Sequence, residues 1–335
     1  MRRVAILGPT TLLGQEVRGL LERRRHVWDD VALIAASEEE AGAVTELAGA
    51  AALVAQADAE ALAGADLIFA CGPVAHDLPL VRERLARPGG QAATAILLSP
   101  EATADDGVPV VAGLDPGDGA ARARPDQVVV SPHPAAIALA YLLAPLAGAG
   151  SGLTLEGASA TVVLPVSLLD RAGLDDLLDQ TRAVVAMTGE KRPSSFERQL
   201  AFNLYPSPEG SARLAGLVRR AAGLEPPLAV EALQGAIFHG VSVSLFVRFA
   251  ADPGVEAVRR ALAGQPRLSL SKASLAASKA PGPVEAAARD EVLVGSVRPD
   301  PDHPGGYWLW AVMDNLTRGG ALNAVEVAEE LAAGA

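Results

Sequence analysis

The stretch VAILGPTTLLGQEVRGLLERR, residues 4–24, decides the fold. Four apolar residues, too few for a helix, run into Gly8, and a second glycine follows at Gly14. From residue 12 the apolar positions recur at helical spacing. A short apolar run, a glycine turn and an amphipathic helix make up the opening unit of a doubly wound parallel sheet. Such a turn presents backbone N–H groups and a helix N-terminus to a phosphate. Gly8, Thr10, Thr11, Leu12, Leu13 and Gly14 are therefore candidate dinucleotide-binding positions. The plain alternative is a strand–turn–helix connection, because Thr11 stands where a middle glycine would allow the closest approach.

Outward from this unit the pattern repeats. VALIAAS (31–37), DLIFACG (66–72), TAILLS (94–99), VPVVAG (108–113) and QVVVS (127–131) are buried-strand candidates, several of them separated by helical stretches. They predict a Rossmann-like α/β domain over residues 1–130. Beyond about residue 150 the strands lengthen and alternate: LTLEGASATVVLPV (153–166), PLAVEALQGAIF (227–238) and VSVSLFVRFA (241–250). These predict an α+β domain over residues 131–312 with a mainly antiparallel sheet. Helices are expected near 171–187 and 211–223, and residues 313–335 end in an amphipathic helix. The Ala-rich runs at 41–66 and 260–290 read as compositional.

The bulk properties exclude several classes. A formal net charge of −12 over 335 residues argues against nucleic acid or an anionic membrane as partner. The start MRRVAILG resembles a signal peptide, but Gly8, Pro9 and Gly14 interrupt the apolar run, so residues 4–7 read as a strand. No apolar run is long enough to span a bilayer. One cysteine excludes an internal disulfide and suits a reducing cytoplasm. The five histidines, His26, His76, His133, His239 and His303, show no metal-ligand spacing, so no metal is expected. His133 and His239 fall at strand ends where acid–base groups can lie, though lone histidines are more often structural. Cys71 and Gly72 end the 66–72 strand beside the same crevice. There Cys71 is either a small apolar filler or a reactive thiol. In SEEEAG (37–42), Ser37 and three glutamates, Glu39 among them, follow the second strand. That is where an adenosine ribose is read, and the acidic run favours NAD over NADP; the plain reading is a solvated loop.

The order of motifs resembles the aspartate-semialdehyde dehydrogenase family along essentially the whole chain. Glu197-Arg198-Gln199-Leu200-Ala201-Phe202-Asn203 carries the resemblance, as does Asp314-Asn315-Leu316 with Gly319-Gly320-Ala321-Leu322-Asn323-Ala324-Val325. GPTTLLGQEV, VSLLDRAGLDDL and SPHPAAI fall at its glycine loop, second cofactor loop and catalytic turn. The resemblance implies a Rossmann-like domain, a dimerising α+β domain and a last helix that belongs with the first. It adds Asn315 to the cofactor positions.

In working members the turn reads N-P-N-C and the cysteine attacks the aldehyde. Here it reads Ser131-Pro132-His133-Pro134, so the nucleophile's place is taken by Pro134. The substrate-carboxylate arginine falls at Gln234, the catalytic histidine at Val241, and the glutamine beside the nucleophile at Leu164. The glycine-rich cofactor loop falls at Leu168, Leu169 and Asp170, the phosphate-binding arginine near Thr103, and the NADP-selecting arginine at Glu39. These departures weaken one reaction together and bring the chain nearest a branch labelled Usg-like, which also lacks the cysteine. The implied protein is a homodimer that has lost the dehydrogenase reaction while keeping a weak nucleotide site. The alternatives are an NAD(P)-dependent oxidoreductase using His133 or His239 without a covalent intermediate, and a dehydrogenase whose nucleophile is Cys71.

Overall fold

The computed structural model describes residues 3–24, 30–58, 60–87, 93–115, 127–188, 195–196, 198–272 and 277–333. The chain forms two compact units, residues 1–133 with 320–335, and residues 134–319. His26 and Glu197 lie outside the described residues.

The first unit opens with β1 (Arg3–Leu7), α1 (Leu12–Arg23) and β2 (Asp30–Ile34). A hairpin of β3 (Val44–Leu47) and β4 (Ala50–Leu53) follows, then β5 (Leu67–Ala70), α2 (Val74–Leu85), β6 (Thr94–Leu97), β7 (Val108–Pro109) and β8 (Val128–Val130). The main sheet runs β2-β1-β5-β6-β8-β7 and every pairing in it is parallel. Alternation within each strand divides the core. Val4, Ile6, Phe69, Ile96 and Val129 face α1, whereas Ala5, Leu7, Ile68, Leu97 and Val130 face α2. Both faces are apolar, which is why these strands read as continuous hydrophobic runs. Strand order reverses at β1, and the carboxyl ends of β1 and β5 are where folds of this kind place a ligand.

The second unit contains α3 (Pro134–Ala147), β9 (Leu155–Leu164), α4 (Asp170–Ala186), β10 (Leu204–Pro206) and α5 (Ser211–Ala222). After these come β11 (Leu228–Gly235), β12 (Val241–Phe249), α6 (Val255–Ala263), β13 (Leu268–Leu270), α7 (Pro283–Ala286), β14 (Val292–Pro299) and β15 (Gly306–Met313). Its sheet runs β10-β11-β9-β12-β15-β14-β13. Only β9–β11 and β13–β14 pair in parallel; the other neighbours are antiparallel. Helices α3, α5 and α6 pack on this sheet. Val241, Val243, Leu245 and Val247 are buried, while Ser244 and Phe246 on the opposite face are only partly covered. Helix α3 is apolar almost all round and buried, with Pro134 at its first position, where a missing N–H costs no intrahelical bond.

The final helix α8 (Leu322–Ala333) belongs to the first unit and packs Leu322, Val325 and Val327 into the α1-side core. Asn323 ties it to the sheet. Its side chain accepts from Ala112 N at 2.9 Å and donates to Ser131 Oγ at 2.9 Å and Val110 O at 3.2 Å. The Ala-rich runs require a correction: residues 41–66 include the β3–β4 hairpin, and residues 260–290 include β13 and α7. Alanine gives too little hydrophobic contrast to reveal a period. Among the described residues, no helix is long and apolar enough to cross a membrane.

Candidate functional site

In the first unit the residues of interest gather at the carboxyl ends of β1, β2 and β5. Gly8 has φ +71°, and its N–H donates to Ile34 O at 2.9 Å. A Cβ at Gly14 would lie 2.1 Å from Gly8 O, and one at Gly72 would lie 2.4 Å from Ala36 Cβ, so both positions require glycine. Thr11 caps α1: its hydroxyl donates to Gly8 O at 2.8 Å and accepts from Gly14 N at 3.0 Å. Leu12 and Leu13 begin the helix. Cys71 is buried in the α1-side core, as a small apolar filler would be.

The three glutamates after β2 do not act alike. Ser37, Glu38 and Glu39 are exposed, but the turn that bonds Glu40 N to Ser37 O rotates Glu40 inward. Glu40 is 9% exposed. Its Oε1 accepts from Thr10 N at 2.8 Å and Thr10 Oγ1 at 2.7 Å, and its Oε2 accepts from Ala36 N at 2.6 Å. The acidic run is therefore two solvated carboxylates and one built into the glycine loop.

A second buried carboxylate stands nearby. Asp77 Oδ2 accepts from Gly72 N at 2.8 Å, and Oδ1 lies 2.8 Å from His76 Nδ1. Burial raises the Asp77 carboxyl above its usual 3.8, partly offset by the His76 and Gly72 hydrogen bonds. Neither Glu40 nor Asp77 stood out in the sequence as an inward acceptor. At Thr103, where the resemblance puts an anion-binding arginine, backbone N and Oγ1 both donate to Asp106 Oδ2 at 2.8 Å.

In the second unit Pro134 starts α3 and packs against Gly319, where an added Cβ would come within 3.0 Å of Pro134 Cβ. A cysteine at a helix N-terminus would be favoured as thiolate; proline supplies no reactive atom there. Gln234 is buried and its Nε2 donates to Leu164 O at 3.1 Å and Gly235 O at 3.2 Å, so it links β11 to β9. Val241 is buried and pairs with Met313.

Asn315 is fully buried between two loops. It accepts from Gly240 N at 2.8 Å and donates to Ser167 Oγ at 3.0 Å. Ser167 belongs to a single helical turn, Val166–Leu169, after which Asp170 has φ 56° and ψ −149°, a conformation kept almost entirely to glycine. Leu169 is 45% exposed. His239 is half-buried, and its enclosed Nδ1 has no hydrogen-bond partner among the described residues. His133, at the end of the first unit, is buried. The structure thus brings Leu164, Ser167, Gln234, Gly240 and Asn315 together within the second unit. Ser167 is a member of this group that the sequence did not mark. Among the described residues no cluster of His, Cys, Asp and Glu could hold a metal ion.

The sheet face opposite the buried valines carries aromatic residues. Phe246 packs on Trp308 at 5.1 Å and against His303 at 5.9 Å between ring centres. Trp308 Nε1 donates to Asp300 at 2.7 Å, and Trp310 Nε1 donates to Pro281 O at 2.8 Å. The hydrogen bonds of His303 and then Trp308 hold the Asp300 carboxyl down at about 2. A shallow groove between them is lined by Ser244, Pro281, Arg298, Trp308 and Trp310.

Residues 143–318 match the family model described as semialdehyde dehydrogenase, dimerisation domain. A USG-1 protein homolog of Azotobacter vinelandii is 30% identical over 98% of this chain and 97% of its own length. An aspartate-semialdehyde dehydrogenase of Rickettsia bellii is 29% identical over 61% of this chain, a match spanning only 62% of that relative. The solved structure of a probable aspartate-semialdehyde dehydrogenase from Pseudomonas aeruginosa superposes with a TM-score of 0.83 and 28% identity, covering 99% of this chain and 98% of that one.

Proposed function

The chain belongs to the semialdehyde dehydrogenase family, and from that premise we propose that it keeps the family's scaffold without its thiol-based reaction. The observation that carries this is Pro134 at the first position of α3, where the family's turn has its cysteine. The family's reaction needs a thiolate to add to the aldehyde carbon, forming the thiohemiacetal that later gives up hydride. Removing a covalent nucleophile usually lowers the rate by factors of thousands or more. The partner positions support the same reading. Gln234 is neutral and spends its amide on backbone carbonyls, and Val241 is an apolar core residue. Cys71 is buried in the sheet core of the other unit.

On this reading the glycine loop retains a weak dinucleotide site that favours NAD over NADP. The close packing of Gly8, Gly14 and Gly72 and the start of α1 fit the pyrophosphate of such a cofactor. A bound nicotinamide would supply only hydride exchange; the protein's part is to bind and orient it. The protein works as a homodimer in a reducing cytoplasm, with the Phe246–Trp308 face of the second sheet against a second copy.

The test is the absorbance of reduced nicotinamide with aspartate semialdehyde, phosphate and either cofactor. The unmodified protein shows no turnover, and Pro134→Cys alone does not restore it. Turnover by the unmodified protein overturns the proposal.

One observation favours a second reading, an NAD(P)-dependent oxidoreductase acting on an amino-acid-derived semialdehyde or another carbonyl. His239 is half-buried, so part of its imidazole is open to a substrate with which it could exchange a proton, with His133 the other candidate. A panel of aldehydes tested with each cofactor separates the two readings.

A further inference from the structure

The half-covered face of the second sheet is not flat. Residues 300–305, which join β14 to β15, fold back over it: the His303 ring lies 5.9 Å from that of Phe246, and Trp308 Nε1 donates to Asp300. Pro301, Asp302, His303 and Pro304 are exposed and form a ridge. One carboxylate holds its shape. Asp300 accepts from Asp302 N at 3.0 Å, from His303 N at 3.1 Å and from Trp308 Nε1 at 2.7 Å, and its Oδ1 lies 2.8 Å from His303 Nδ1. Packed sheets stand about 10 Å apart, so such a ridge keeps two copies from meeting on this face unless a depression receives it. The groove between Pro281, Trp308 and Trp310 is a depression on the same face. Its charge suits the ridge. Among the described residues the Asp302 carboxylate has no partner, and Arg298 in the groove has only the Trp308 ring, 5.7 Å from its guanidinium carbon. The neighbouring depression beside Phe246 offers no such cation, because its Arg248 pairs with Glu156 at 3.0 Å.

We propose that the 300–305 loop of each copy seats in the Pro281–Trp308–Trp310 groove of a second copy, with Asp302 against Arg298 of the partner subunit. The proposal rests on the dimer reading above and names the contact that sets its register. Strands β14 and β15 pair Ser296 with Trp310, Arg298 with Trp308 and Pro299 with Tyr307, so the groove lies along the middle of this hairpin and the loop at its end. A two-fold axis that runs between the two sheets and across their strands keeps one hairpin over the other and reverses its direction. Each loop is then carried to the other copy's groove, and the contact is made twice. Pro301 and Pro304 bring stiff rings to the indole faces and lose no side-chain freedom on docking. The ion pair selects this register more than it adds affinity.

The experiment joins crosslinking to a charge exchange. Ser296 lines the groove two residues from Arg298, and Cys71, the one native cysteine, is buried. Ser296→Cys combined with Asp302→Cys in one chain, treated with a short bis-maleimide, gives a covalent dimer on a denaturing gel, and neither single variant does. Arg298→Glu and Asp302→Lys each raise the dimer dissociation constant about tenfold or more in sedimentation. The two together bring it back to within about threefold of the original, because the charges are again opposite. A protein that is dimeric but stays uncrosslinked in the double cysteine variant, or crosslinks in either single one, overturns the proposal and leaves the dimer standing. Losses that add in the charge-exchanged variant overturn it too. Should Arg298→Glu fail to fold, the crosslinking decides alone. An unmodified protein that sediments as a monomer removes the dimer reading, and this proposal with it.

Discussion

Replacing Asp170 by glycine should stabilise the second unit. Asp170 sits at φ 56° and ψ −149°, directly after the Val166–Leu169 turn. A side chain in that region costs roughly 1–3 kcal/mol. Glycine relieves the strain but loses about 0.5–1 kcal/mol to the extra freedom it has when unfolded. The net expectation is a gain of up to about 2.5 kcal/mol. For a unit of this size each kcal/mol moves the thermal midpoint by roughly 2–4 °C. Asp170→Ala is the control: it keeps the Cβ, and so the strain, and gives no rise. Urea unfolding followed by circular dichroism, with calorimetry for the midpoint, reads both variants, and an unchanged urea slope shows that the two ends of the transition are the same. A loss of stability in Asp170→Gly, or an equal rise in Asp170→Ala, would refute the argument that the backbone here has kept a glycine's conformation around a residue that is not one.

Three further outcomes are expected. Asn315→Ala leaves the Gly240 N–H buried without its acceptor and removes the partner of Ser167, and should cost about 2–4 kcal/mol in urea unfolding; Ser167→Ala in the same background should then cost little more. Burial raises the Asp77 carboxyl, so the folded state prefers it protonated, and the stability it allows declines as pH rises from the usual 3.8 to the raised value and is level above that. Asp77→Asn should remove this decline, and an unaltered slope of urea midpoint against pH would show that other groups cause it. Phe246→Asp places a charge on the aromatic sheet face and should convert the proposed dimer to a folded monomer by light scattering; a dimer that persists moves the interface elsewhere.

Much of the architecture was legible because the apolar residues are distributed with clear periods. Residues 4–24 announce strand, turn and helix, residues 66–72 announce a buried strand, and residues 241–249 alternate regularly as a strand with one buried face does. The β3–β4 hairpin was not legible, since strands of VTEL and AAAL carry no alternation that alanine's neutrality does not blur. At the candidate site the proposed loss rests on residue type alone: the resemblance puts a nucleophile at Pro134, and a proline side chain has no atom that could serve as one. What those residues do instead could not be read. Three identical glutamates in a row hide which one a turn rotates inward, and only the bond from Glu40 N to Ser37 O settles it. The resemblance offered Asn315 only as a cofactor position and gave no sign that its amide also holds two loops of its own unit together. A side chain's partner across 75 residues of chain, as with Gly240, leaves no local trace.

The division of the chain also has a consequence for its biosynthesis. A ribosome that has completed residues 1–133 has not yet made α8, whose Leu322, Val325 and Val327 cover part of the first sheet. At typical elongation rates the intervening segment, residues 134–319, takes on the order of 10–40 s to emerge. Throughout that interval the nascent chain carries an uncovered apolar surface, while the segment being made can already condense by itself. Chaperones would therefore be drawn to the older part of the polypeptide rather than the newer. Premature stops that spare almost the whole chain would still strand it in that state, and a circular permutant joining the old termini and opening at the Gly319–Gly320 bond would be free of the delay.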